Sequence, residues 1–300
     1  MIIPVYNASA FLRACIESAL AQPETAEVIV IDDHSTDSCL SIAQNFKNQD
    51  DRVLIFQTNL ASRGAGAARN IGIHQASNDW IAFLDADDYY LPGRFSFDEQ
   101  TIIRISSCVA IYRAVTMLND KSEAEYILHG KYQSGYMLQS GEPGKKVALI
   151  DFLEGKGLHL NGLTIRRDAI LDLGGFDEEL IQGQDSDFIF RFLIRHFILN
   201  VESHVPGAVY RIHSTNTIRN LEEGIVYRRQ AARKQVVLSI RNFLSPVIFF
   251  RVVRKYLEYD ILWFMGQREL RYKSLLKWLL LPVLLCRICI KTDTLSNTNR

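Results

Sequence analysis

Trp80-Ile81-Ala82-Phe83-Leu84-Asp85-Ala86-Asp87-Asp88 sets five strand-like residues directly ahead of three carboxylates. A short apolar run of this kind reads as a buried strand, so the charges fall at its carboxyl end. Three similar runs precede it: Ile2-Ile3-Pro4-Val5, Val28-Ile29-Val30-Ile31 and Val53-Leu54-Ile55-Phe56. Between them, Ala10 to Ala21, Cys39 to Phe46 and Ala67 to Gln75 space their apolar residues as helices do. The resulting βαβαβαβ order predicts an α/β fold with a mainly parallel sheet covered by helices on both faces. Ligands of such sheets bind beyond the carboxyl ends of the strands. Asp32-Asp33 and Asp85-Ala86-Asp87-Asp88 both fall there.

Past residue 100 the pattern is less regular. Short strands are expected within Cys108 to Leu118 and Tyr126 to Leu128, a short helix over Val147 to Leu153 and a strand over Asn161 to Arg166. Gly174-Gly175-Phe176-Asp177 reads as a turn. Asp185 to Arg195 reads as a helix with Phe188, Phe192 and Leu193 inward. Beyond Glu223 long amphipathic segments begin, interrupted at Pro246 and Pro282, which places a boundary near residue 223.

Of the 300 residues, 48% are hydrophobic, enough to bury a sizeable core. The 34 basic and 34 acidic residues balance overall, but residues 224–300 hold 15 Lys and Arg against 4 Asp and Glu. The acidic front argues against a nucleic-acid partner, while the basic tail suits an anionic surface such as lipid. Trp278 to Cys286 is apolar, yet Lys277, Arg287 and Lys291 bracket a stretch too short to cross a bilayer of about 30 Å. Two readings stay open: a peripheral helix in the membrane interface, or a helical hairpin packed on the main domain or across a homodimer. The five cysteines are too sparse for a disulfide scaffold and read as thiols. Cys286-x-x-Cys289 sits among apolar residues and reads as packing, not zinc. Met1-Ile2-Ile3-Pro4 has no basic leader region, so a cytoplasmic location is expected. Only three residues precede Pro4, which makes the first strand short and a truncated start an expectation.

Three carboxylates at one strand end repel one another and raise their own pKa values unless a cation sits among them. Oxygen ligands favour Mg²⁺ or Mn²⁺, and Mg²⁺ commonly completes its shell with substrate phosphates. A nucleotide diphosphate is thereby implied. The competing explanation, a helix N-cap, accounts for Asp87 or Asp88 but not for all three.

The chain resembles the family 2 glycosyltransferases, inverting nucleotide-sugar enzymes of GT-A (Rossmann-like) fold, which implies a mixed, mainly parallel sheet flanked by helices. The matching segments, in family order, are Ile3-Pro4-Val5-Tyr6-Asn7, Ile16 to Gln22, Val30-Ile31-Asp32-Asp33-His34-Ser35-Thr36-Asp37, Gly66-Ala67-Ala68-Arg69-Asn70-Ile71-Gly72 and Phe83-Leu84-Asp85-Ala86-Asp87-Asp88. Gly174 to Asp177 and Gln184-Asp185-Ser186-Asp187 extend the likeness more loosely. The resemblance implies a nucleotide-sugar-binding half over 1–100, an acceptor-binding half over 101–223 and a basic helical extension over 224–300. It implies that Pro4, Tyr6, Asp33, Arg69 and Asp85 bind the nucleotide, that Asp87 and His213 hold Mn²⁺ or Mg²⁺, and that Asp185 is the base. Gln184 stands where the family usually has Glu. Arg63 to Arg69, with Gly64 and Gly66, reads either as a phosphate cradle or as a loop that needs glycine. Asp32 to Asp37 also reads as a turn capping the next helix, through Ser35, Thr36 or Asp37.

The implied activity is sugar transfer, most readily from UDP, to a glycan or lipid-linked acceptor in cell-surface polysaccharide synthesis at the inner face of the membrane. The alternative is a non-catalytic sugar-nucleotide-binding scaffold of a glycan assembly complex, in which Gln184 and the short start mark lost chemistry. A Rossmann oxidoreductase is disfavoured, since no Gly-x-Gly-x-x-Gly follows the first strand.

Overall fold

The computed structural model describes residues 1–59, 64–119, 146–147, 149–153, 158–202, 205–213 and 221–266. Strands β1 (Ile2–Val5), β2 (Val28–Asp32) and β3 (Val53–Gln57) form a parallel sheet with β2 central. Successive side chains on a strand face opposite sides, and both sides here are covered. Ile2, Ile29 and Ile31 enter one hydrophobic cluster with Ala68 and Ile73 of helix α3 (Ala65–Gln75). Ile3, Val5, Val28 and Val30 enter a second, with Leu12, Cys15 and Ile16 of α1 (Ser9–Leu20) and Cys39 and Ala43 of α2 (Cys39–Lys47). Burial on two faces explains why these strands read as continuous apolar runs. The α3 helix lies tight on β1: a Cβ at Gly72 would come within 2.6 Å of Ile2 Cγ2.

The expected parallel pattern changes at β4 (Trp80–Ala82). It meets the first sheet through one parallel bridge, Ile2 to Phe83. Its other edge runs antiparallel to β9 (Leu163–Arg166). There the order is β4-β9-β6-β10-β8, with β6 at Ala110–Arg113, β8 at Lys146–Val147 and β10 at Ile198–Glu202. A third small sheet sets β11 (Ala208–Ile212) between β5 (Tyr89–Tyr90), antiparallel, and β7 (Val115–Asn119), parallel. The architecture is thus mixed α/β, and β5-β11 crosses directly behind the acidic run.

The remaining helices are α4 (Asp98–Arg104), α5 (Leu149–Leu153), α6 (Arg167–Leu173), α7 (Gln184–Arg195), α8 (Leu221–Arg241) and α9 (Pro246–Gly266). Leu160–Gly162 is a 3₁₀ turn where a strand was expected to begin. The α8 helix begins at Leu221, two residues ahead of the expected boundary. Pro246 opens α9, a position where its missing N–H leaves no intrahelical bond unmade. This helix pair packs on the domain: Val252 is fully buried in the core that holds Phe188, Phe190 and Phe192. Lys234 of α8 also bonds to Asp177 at 2.5 Å and Glu179 at 2.8 Å. Among the described residues, no helix is long and apolar enough to cross a membrane. Cys15, Cys39 and Cys108 are buried free thiols. The readings of Tyr126 to Leu128, Trp278 to Cys286 and Cys286-x-x-Cys289 fall outside the described residues.

Candidate active site

The loops after β1 and β2 are tied together by side chains. Asp37 accepts from Ser9 N at 2.9 Å and Cys39 N at 3.0 Å, so one carboxylate serves the first turns of α1 and α2. Burial opposes its ionisation, but these hydrogen bonds prevail and hold its pKa at about 2. Asn7 Oδ1 accepts from Thr36 N at 2.8 Å. Of the residues expected at the base pocket, Pro4 is buried within β1 and Tyr6 is 62% exposed beyond its end. Asp33 accepts from Thr58 Oγ1 at 2.5 Å and Gly64 N at 2.8 Å, which fixes the entry to α3.

The three neighbouring acids have three different environments. Asp88 is fully buried and accepts from Asn161 Nδ2 at 2.6 Å and from Arg211 N at 2.7 Å. It therefore staples the turn to β11. Burial, then the charges of Asp87 and Asp85, push its pKa well up. Asp87 is 26% exposed and meets His213 Nε2 at 3.0 Å. Burial and the Asp85 charge raise its pKa. His213 stacks on Phe11 with centroids 4.5 Å apart, so β11 and α1 both fix the imidazole. Asp85 accepts from Arg69 Nη2 at 2.6 Å, and that guanidinium outweighs burial to leave its pKa lowered.

Arg69 is 2% exposed, in the floor of the site rather than at an open edge. Its Nη1 donates to Asp185 Oδ1 at 3.0 Å. The candidate base, in the first turn of α7, is thereby joined to the acidic run. Burial raises the Asp185 pKa despite Arg69, while its side chain remains 43% exposed. Asp187 has a separate role: it pairs with Arg191 one turn along at 2.7 Å, and Arg191 donates to Gly175 O at 2.8 Å. Gln184 is buried against Gly66, whose added Cβ would lie 3.1 Å from Gln184 Oε1.

Sequence reasoning passed over His159 and Asn161. Ligand atoms of Asp85, Asp88 and His159 lie within 4.8 Å of one another, and Asn161 Oδ1 accepts from Asp85 N at 3.2 Å. Neither residue has a partner at recognisable spacing; only folding brings the 3₁₀ turn beneath the acidic run. Two carboxylates and one imidazole at that spacing, from Asp85, Asp88 and His159, make a donor set that fits a divalent cation, and Asp87 pairs with His213 at 3.0 Å. The set is mixed oxygen and nitrogen, not the oxygen-only set that the acidic run by itself implies.

Residues 1–96 match the family model of Glycosyl transferase family 2. Over 265 residues the chain is 27% identical to an uncharacterized glycosyltransferase of Rickettsia typhi, covering 84% of this chain and 79% of that one. Over 96 residues it is 44% identical to the succinoglycan biosynthesis protein ExoU of Rhizobium meliloti, 31% of this chain but 27% of ExoU. The structure of S. aureus TarS 1-349 in complex with UDP-GlcNAc superposes with a TM-score of 0.64 at 20% identity, covering 86% of this chain and 70% of that one. This last likeness establishes the shared GT-A type of mixed α/β fold. The first third of the chain therefore carries glycosyl transferase family 2 sequence.

Proposed function

We propose that the protein is an inverting glycosyltransferase that moves a sugar from a nucleoside diphosphate, UDP foremost, to a glycan or lipid-linked acceptor. The observation that carries this reading is the linkage of Asp85 to Asp185 through Arg69 and of Asp87 to His213, which gathers four side chains from three places in the chain. The family 2 match over 1–96 supports the transfer chemistry, and the UDP-GlcNAc bound by TarS favours a UDP donor. ExoU's role in succinoglycan biosynthesis favours a polysaccharide product.

In this reading Pro4, Tyr6 and Asp33 line the base and Asp85 faces the ribose. Asp87 and His213 hold Mn²⁺ or Mg²⁺. When bound, the cation supplies charge stabilisation to the diphosphate leaving group. Asp185 takes the proton of the acceptor hydroxyl as that oxygen bonds to the anomeric carbon and the bond to the diphosphate breaks. Its exposed carboxyl, with one oxygen held by Arg69, suits that part. The raised pKa makes it a stronger base once ionised. The basic residues of 224–300 fit work at an anionic membrane surface.

The test is a panel of nucleotide sugars with Mn²⁺, read by release of nucleoside diphosphate and by thermal stabilisation. One donor is expected to respond on both counts. Asp185→Asn is expected to keep the stabilisation and lose release at least 100-fold. A panel without any response contradicts the proposal.

A further inference from the structure

We infer that Arg69 is a positioning residue for the transfer, the single side chain that sets the candidate base Asp185 against the donor-side carboxylate Asp85. This rests on the glycosyltransferase reading above. The two carboxylates come from opposite halves of the molecule, Asp85 from the loop after β4 and Asp185 from the first turn of α7. Arg69 reaches both with different nitrogens of one planar fork: Nη2 to Asp85 Oδ1 at 2.6 Å and Nη1 to Asp185 Oδ1 at 3.0 Å.

The fork has little freedom of its own. Its side chain is 3% exposed, and the guanidinium carbon sits 5.3 Å from the Phe176 ring centroid. The next residue locks the same joint. Asn70 Nδ2 donates to Phe176 O at 2.9 Å, and Phe176 N donates to Asn70 Oδ1 at 2.8 Å, a two-point clamp on the turn ahead of α7. Gly175 in that turn has φ of +67°, and a Cβ there would stand 2.5 Å from Asn70 Oδ1. Consecutive residues of α3 thus hold the base-bearing element twice, once through backbone and once through charge.

An ion pair of this kind commonly serves only to hold a fold, and such a role would leave catalytic parameters of the folded protein alone. The geometry points further, because Arg69 occupies one Asp185 oxygen and leaves that side chain 43% exposed. Oδ2 carries none of the hydrogen bonds among the described residues, so it is the oxygen available to an acceptor. The titratable and charged groups around Asp185 are Arg69 of α3, Asp85 after β4, His159 ahead of the 3₁₀ turn and Tyr210 of β11. Arg69 is the cation that offsets Asp85. Lysine keeps the charge but not the fork.

Three variants test this, each first checked for folding by melting and by circular dichroism. Arg69→Lys is expected to lower kcat at least tenfold with the donor KM within threefold of wild type, and to leave the acid limb of the pH profile in place. Arg69→Gln is expected to move that limb upward and to lower kcat further. Should Arg69→Gln not fold, Asp85→Asn replaces it: with one carboxylate gone, Arg69 serves Asp185 alone and the limb is expected to move down. A ¹³C titration of the Asp185 carboxyl in the free protein reads the same shifts without turnover. Unmoved Asp185 titration in folded Arg69→Gln, or in Asp85→Asn where it replaces that variant, or Arg69→Lys with kcat indistinguishable from wild type, overturns the inference. Those results leave the glycosyltransferase reading intact, whereas a nucleotide-sugar panel without any response defeats that reading and not the measured Arg69–Asp185 coupling.

Discussion

Asp37 spans the start of two helices, and its worth follows from that geometry. Asp37→Ala is expected to lower stability by about 1 kcal/mol, the usual value of an N-terminal cap, measurable by urea denaturation. The pH dependence has a definite sign. The folded carboxyl sits at about 2 and an unfolded Asp near 3.9. Its contribution is therefore complete above pH ~4 and disappears as pH falls through about 2. The difference between wild type and Asp37→Ala should narrow over that window and stay constant above it. Asp185 moves the other way, raised by burial. As a base it must be ionised, so kcat/KM is expected to climb through an apparent pKa raised from that of an ordinary Asp, and a limb at or below ~3.9 contradicts the assignment. Single residues are also where sequence reading reaches its limit. Asp85, Asp87 and Asp88 look alike in the chain, but Arg69, His213 and Asn161 give them three separate roles. Adjacency revealed the charge, and only long-range partners distinguish its uses.

At the scale of elements, the first three strands and three helices were legible because β1 and β2 are buried on both faces, β3 lies half-buried against the same two clusters, and each helix buries one face. From β4 onward they were less so. Strands of three to five residues pair across 50 to 90 positions, as β4 with β9 and β6 with β10, and local periodicity carries no record of such partners. The same long connections build the site, since β11 brings His213 and α7 brings Asp185. The joint between α3 and the turn ahead of α7 should accordingly be sensitive. Gly175→Ala combines a positive φ with a 2.5 Å approach to Asn70 Oδ1. It is expected to destabilise by about 1–3 kcal/mol and to lower transfer in the folded fraction. A Gly175→Ala protein as stable and active as wild type speaks against the joint. Gly174, at φ +84° with open space about its Cβ position, is the control: substitution there meets backbone strain without the clash.

The whole molecule joins a two-sided parallel sheet to a mixed sheet, and α8 and α9 close over the second half. The change of texture beyond residue 223 was readable, but not that Val252 would complete the core beside Phe190 and Phe192. Helices that pack so closely belong to the folding unit. Val252→Ala is expected to cost about 2 kcal/mol through the cavity it leaves, with a matching fall in melting temperature, and no effect on stability contradicts that packing. The central claim concerns the cluster that joins acids after β4, an imidazole after β11 and a base on α7. It is tested most directly by calorimetric titration of UDP, with and without Mn²⁺, into wild type and Asp87→Ala. The account predicts binding that requires the metal and weakens at least tenfold in Asp87→Ala; wild type that binds no UDP with Mn²⁺ present, or binding indifferent to Asp87, contradicts it.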